Sequence, residues 1–218
     1  MQKVKGAIFD LDGVLVDTAK YHYLAWKKLA HKLGFDFSEK DNEKLKGVSR
    51  SCSLEILLQI GGIQADENLK ARWAEEKNEC YVEYLKKLDK SALLEGTIDY
   101  LNTLHSEGVK ISLGSASKNA PLILSQLKIN NYFDAVIDGN SISKAKPDPE
   151  VFLQGAKALG LKPCECAVFE DSVAGIQAAK KGGMIAVGVV GSGDKKNLPG
   201  ADFYVKSLGE AERSGLFI

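Results

Sequence analysis

Apolar positions follow two rhythms along this chain of 218 residues. Residues 7–9 (Ala-Ile-Phe) form an unbroken apolar run that reads as a strand buried on both faces. The run ends in Asp10, Asp12 and Gly13. From 17 to 33 the period becomes helical. Tyr21, Ala25, Leu29 and Leu33 recur four apart, Trp26 and Leu24 widen the stripe, and Gly34 marks the stop. Up to residue 90 no clear strand follows. Segments 41–45, 51–60 and 66–88 read as helices, with Gly61-Gly62 as a break and Tyr81, Tyr84, Leu85 and Leu88 at helical spacing.

After Gly96 the pattern alternates. Strands are predicted over 109–114, 134–137, 166–169, 184–190 and 202–205, with helices around 98–104, 120–127, 149–159 and 173–181. Pro121 falls in a first helical turn, where its missing N–H does no harm. Residues 191–200 read as a surface loop. Strand and helix alternating over short connections predict an α/β fold with a doubly wound, mostly parallel, Rossmann-like sheet. The helical block follows the first strand and precedes all the others. It is therefore expected to be an all-helical cap domain, residues 16–91, inserted into an α/β catalytic core of residues 1–15 plus 92–218.

Lys plus Arg number 29 and Asp plus Glu also 29. This balance argues against nucleic acid or a membrane surface held by bulk charge. Residues 1–5 lead straight into the first strand without the apolar core or cleavage site of an export signal. The expected location is cytoplasmic, with Cys52, Cys80, Cys164 and Cys166 reduced. They form no C-x-x-C pair and no zinc pattern. No apolar stripe stands outside the expected core, so a monomer is expected.

Four segments deliver polar groups at or after strand ends: Asp10 and Asp12, then Ser115, then Lys146, then Glu170-Asp171. In a parallel sheet these ends share one edge, where ligands bind. Taken singly, Ser115 could be a helix cap, Lys146-Pro147 a solvated turn and Glu170-Asp171 a dipole-compensating pair. A calcium loop counted from Asp10 needs Gly at position six and Glu at position twelve, where Leu15 and Tyr21 stand. Together the four segments are suited to phosphoryl transfer. Asp10 is the candidate nucleophile and Asp12 the candidate proton carrier. Magnesium would offset the repulsion between carboxylate and phosphoryl group. Asp10, Asp171 and the carbonyl of Asp12 supply its oxygens, with Glu170 behind a bound water. Ser115 and Lys146 hold phosphate oxygens.

These four segments, in this order, resemble the signature motifs of the haloacid dehalogenase superfamily, and Asp12 resembles its phosphatase and phosphotransferase branches. Residues 17–22 (Asp-Thr-Ala-Lys-Tyr-His) with Trp26, 46–50 (Lys-Gly-Val-Ser-Arg) with Ser53, and 115–119 (Ser-Ala-Ser-Lys-Asn) resemble its hexose-phosphate mutases. The resemblance implies Mg2+ at Asp10, Asp12, Glu170 and Asp171. It implies a transferring phosphate held by Ser115, Ala116 and Lys146. A second phosphate would be held by Arg50, Ser117, Lys118 and Asn119. Thr18, His22, Trp26, Lys46, Gly47, Val48, Ser53 and Lys77 would complete the substrate pocket, with His22 coupling cap closure to Asp12.

The reaction implied interconverts β-glucose 1-phosphate and glucose 6-phosphate through an aspartyl phosphate and a bisphosphate intermediate. The alternatives are a magnesium-dependent sugar-phosphate phosphatase and a non-catalytic module that binds a phosphorylated metabolite. Without the resemblance, Lys46 and Arg50 read as solvated charges and Trp26 as core. His31 and His105 are assigned to surface or packing. The tail is short, so no full helix is expected after the last strand.

Overall fold

The computed structural model describes residues 4–45, 48–214 and 216–217. Strand β1 (Gly6–Phe9) lies inside a six-stranded sheet of order β3-β2-β1-β4-β5-β6, every neighbour parallel. The other strands are β2 (Lys110–Gly114), β3 (Ala135–Ile137), β4 (Cys166–Glu170), β5 (Ile185–Val189) and β6 (Phe203–Val205). The run at 7–9 is apolar throughout because both faces are covered. Side chains alternate across a strand. Ala7 and Phe9 enter one core with Leu113, Tyr100 and Phe169, while Ile8 enters another with Phe152, Val168 and Ile176.

Four core helices connect the strands or precede them: α5 (Thr97–Ser106), α6 (Ala120–Leu127), α7 (Glu150–Ala158) and α8 (Val173–Lys181). The order reverses between β1 and β4, so the crevice at their carboxyl ends is the natural ligand site of such a sheet. After β6 a short helix α9 (Leu208–Arg213) forms, contrary to the expectation for the tail. Ser207 caps it by accepting from the Glu210 N–H, and Leu208 and Ala211 bury against the core.

Helices α1 (Ala19–Lys32), α2 (Glu39–Asn42), α3 (Arg50–Gly61) and α4 (Glu67–Leu85) lie between β1 and the remaining strands. They build a core of their own from Trp26, Leu29, Phe37, Leu54, Leu57 and Leu58. The stripe on α1 serves two partners, because Ala25 packs into the sheet-side core and Trp26 into the helical one. Leu24, expected to widen that stripe, is exposed. Helix α4 ends at Leu85, so Leu88 is buried beyond the helix rather than on its face.

The chain crosses between the two units on adjacent segments. Asp17 N donates to Ala92 O at 2.8 Å and Leu94 N to Leu15 O at 3.0 Å, making a two-segment antiparallel hinge. Beside it the Gln126 amide of α6 donates to Lys86 O and Leu88 O, carbonyls following α4. Among the described residues no helix is long and apolar enough to cross a membrane.

Candidate active site

The ends of β1 and β4 open into a cavity of about 550 Å³ roofed by the helical unit. From the core come Asp10, Asp12, Ser115, Ala116, Ser117, Lys118, Asn119 and Asp171. From the helical unit come His22, Trp26, Val48, Arg50, Ser53 and Lys77. Lys146 and Glu170 are buried behind this lining, and Thr18 is buried beside Asp12. Lys46 and Gly47 lie outside the described residues.

Charge is concentrated at the floor. Lys146 Nζ donates to Asp10 Oδ1 at 2.5 Å and also to Glu170 Oε1. The other oxygen of Glu170, Oε2, accepts from Ser172 N and Oγ at 2.9 and 2.8 Å, so both oxygens are engaged. Burial opposes the charge on Lys146, but Asp10 and Glu170 outweigh it and hold its pKa above the ordinary value. Burial pushes the Asp10 carboxyl up to about 7, against the pull of Lys146 and with Glu170 and Asp12 adding repulsion. Negative charge is thus in excess here. One lysine offsets only part of it.

Two glycines make room for the acids at the floor. Gly13 has a φ of +83°, a region that suits glycine, and a Cβ there would come within 2.1 Å of Asp171 Oδ2. A Cβ on Gly175 would fall 1.9 Å from Glu170 Cδ. Both carboxylates fit only because these side chains are absent. Among the described residues no three His, Cys, Asp or Glu side chains form a ready-made metal cluster. Magnesium does not need one, since it takes one or two carboxylates with carbonyl and water oxygens. Asp10 and Asp171 both line the cavity, amid surplus negative charge, and are the residue types that suit a small hard divalent cation.

Asp12 is set apart. Thr18 occupies the cap position of α1 but makes no side-chain cap bond there. Its hydroxyl donates to Asp12 Oδ1 instead. Burial raises the Asp12 pKa, opposed by Thr18 and by the charge of Lys146. His22 Nε2 lies 4.0 Å from Asp12 Oδ1, and its Nδ1 lies 3.0 Å from Lys77 Nζ. When Lys77 is the ammonium it can only donate, so Nδ1 accepts and the ring proton sits on Nε2, facing Asp12. Burial and the charges of Lys77 and Arg50 keep the imidazole neutral by lowering its pKa well below the usual value. Lys77 is itself lowered to about 7, by burial first and by Arg50 second. Its ammonium lies 4.5 Å from the Trp26 ring centre and 4.6 Å from that of Tyr81.

On the core side, Ser115 Oγ accepts from Ser117 N at 3.1 Å, and Ser117 Oγ from Asn119 N at 3.2 Å. These bonds fold the loop after β2 into a tight turn facing the cavity. The sequence reading missed Asn78 and Tyr81 as lining residues. Tyr81 was legible only as part of a helical stripe, and its ring stacks on that of His22 with centroids 4.0 Å apart. Asn78 follows Lys77 directly, but nothing in spacing or composition distinguishes it.

A family model described as haloacid dehalogenase-like hydrolase matches residues 4–183. The chain is 43% identical to a β-phosphoglucomutase of Bacillus subtilis (strain 168) over 209 residues, covering 95% of this chain and 91% of that protein. It is 32% identical over 193 residues to a phosphorylated carbohydrates phosphatase of Thermotoga maritima, covering 87% of each. A crystal structure of β-phosphoglucomutase from Clostridium difficile superposes with a TM-score of 0.92 at 42% identity, covering 98% of this chain and 95% of that one.

Proposed function

This chain belongs to the haloacid dehalogenase-like hydrolase family, and we propose that within it the chain interconverts β-glucose 1-phosphate and glucose 6-phosphate. The observation that carries the reading is the near full-length likeness to β-phosphoglucomutases in sequence and in fold. The cavity supports it, because cationic and amide donors stand at its far side as well as at its floor.

In this reading Asp10 is the nucleophile. Lys146 holds its Oδ1, leaving the other carboxylate oxygen for attack on phosphorus. Asp10, Asp171 and the Asp12 carbonyl would hold Mg2+, with Glu170 behind them. When bound, the cation offsets charge between the carboxylate and the phosphoryl oxygens. Phosphorylated Asp10 passes its phosphoryl group to the 6-hydroxyl of β-glucose 1-phosphate while Asp12 takes that hydroxyl's proton. The bisphosphate turns end for end. Asp10 then attacks the 1-phosphorus, Asp12 returns the proton to the leaving oxygen, and glucose 6-phosphate departs from the rephosphorylated enzyme.

The remaining residues bind and orient. Ser115, the Ala116 N–H and Lys146 hold the transferring group. Arg50, Ser117, Lys118 and Asn119 hold the other phosphate, where the planar guanidinium matches its oxygens. Thr18 parks Asp12 between steps. His22 and Lys77 draw it toward the substrate when the helical unit covers the site and excludes water. Trp26, Val48 and Ser53, with Lys46 and Gly47, shape the sugar pocket. Residues 16–91 act as the cap and the rest as the core, in a monomer of the cytoplasm.

Hydrolysis of sugar phosphates is the second reading, favoured by the phosphatase relative. Isomer formation without matching release of inorganic phosphate separates the two.

A further inference from the structure

Asn78 Oδ1 accepts two hydrogen bonds, from Arg50 Nη2 at 2.7 Å and from Asn119 Nδ2 at 2.9 Å. Arg50 opens α3 and Asn78 lies on α4, both in the helical unit. Asn119 stands at the start of α6 in the sheet-bearing unit. A single carboxamide oxygen therefore ties an arginine of one unit to an amide of the other, and all three residues line the cavity.

The orientation of Asn78 is fixed by its neighbours. Its Nδ2 faces Glu75 Oε1 at 3.4 Å, and the same Glu75 lies 3.4 Å from Arg50 Nη1. Turning the amide over would set an NH2 group against two N–H donors and a carbonyl oxygen against a carboxylate. The junction does not exhaust its donors. A guanidinium carries five N–H bonds and a carboxamide two, so Arg50 and Asn119 each keep hydrogens for another acceptor. Donors that converge on one oxygen are already close enough to share a second.

We propose that Asn78 is a positioning residue that draws Arg50 and Asn119 together across the boundary between the units, so that a substrate's second phosphate meets both at once. This rests on the mutase reading, in which the phosphate that is not being transferred sits at that place. Asn78 touches neither the nucleophile nor the transferring group. It acts through its two neighbours, and its effect is confined to ligands that carry a distal anion.

The test is a KM comparison between glucose 1,6-bisphosphate and acetyl phosphate, which has no second anion, for wild type, Asn78→Ala, Asn119→Ala and the double variant. With Asn78→Ala the KM for the bisphosphate rises about tenfold, the size expected for a lost hydrogen bond to a charged group. The KM for acetyl phosphate moves less than about twofold. The double variant costs less than the two single effects combined, since Asn78 acts in part through Asn119 and in part through Arg50. Asn78→Ser, which keeps a small polar side chain on the helix, gives the same split. An equal rise for both substrates, or no rise for either, overturns the proposal. If wild type releases only inorganic phosphate, the mutase reading fails instead, and the split is read from hydrolysis of the bisphosphate.

Discussion

Lys146 Nζ lies 2.5 Å from Asp10 Oδ1, joining side chains 136 positions apart. The same ammonium reaches Glu170, so the tips of β1 and β4 and the loop before α7 meet at one buried charge. A buried lysine between two carboxylates is tolerated because both its partners are fixed. Asp10 is fixed by the end of its strand. Glu170 is fixed by Ser172 and by the open space over Gly175.

Gly175→Ala is the sharpest probe of that arrangement. The new Cβ would stand about 2 Å from the Glu170 carboxyl, whose other contacts are already made. The carboxylate must move, leaving Lys146 with half its partners. Urea unfolding is expected to show a loss on the order of 3 kcal/mol, and turnover to fall at least roughly tenfold. A variant as stable and as active as wild type would mean that the Glu170–Lys146 bond is dispensable.

Asp10 and Asp12 are predicted to divide their roles. Asp10→Asn removes the nucleophile and abolishes turnover of every substrate. Asp12→Ala removes proton transfer, and mutase activity falls by roughly 10²–10⁴. Magnesium affinity, read by calorimetry, stays close to wild type in Asp12→Ala because the proposed ligand there is a backbone carbonyl. It drops in Asp10→Asn. Equal loss of affinity in both variants would contradict the division.

Lys77 gives a pH dependence whose sign can be worked out. Its pKa is lowered to about 7 in the folded chain from the ordinary 10.5, by burial and then by Arg50. Between those pH values the unfolded chain binds more protons, so this group makes stability rise with pH. Its cost to folding is full below about pH 7 and is relieved as pH approaches 10.5. Lys77→Met abolishes that dependence. The stability of the variant minus that of wild type, measured in urea at a series of pH values, is expected to shrink by a few kcal/mol across the window. A gap that stays flat from pH 7 to 10 would show that Lys77 is not strained by its burial.

Much of the fold was legible because each local signal had one dominant cause. The run at 7–9 is apolar without alternation because the sheet is covered on both faces, and it was read as a buried strand. The alternation after residue 96 gave the parallel sheet its strands to within a few residues. Where tertiary contacts decide, the sequence was mute. Leu24 looks like core but faces solvent, because the α1 stripe is divided between two cores rather than widened for one. The short α9 rests on a serine cap and two buried side chains, a signal too brief for periodicity to register.

The site shows the same split. Acids at strand ends announce a chemistry by type and position. Thr18 does not announce that its hydroxyl turns to Asp12 rather than capping its helix, since either use satisfies a threonine at that place. Asn78 is an ordinary polar helix residue until two units fold together around it.

Phosphoryl groups are predicted to leave Asp10 for a sugar hydroxyl and not for water. A phosphorus NMR time course tests it with the protein, magnesium, β-glucose 1-phosphate and a trace of glucose 1,6-bisphosphate. The expected result is conversion to glucose 6-phosphate with the bisphosphate held at a steady trace and little inorganic phosphate. Inorganic phosphate appearing in step with substrate loss, with no glucose 6-phosphate formed, would contradict it.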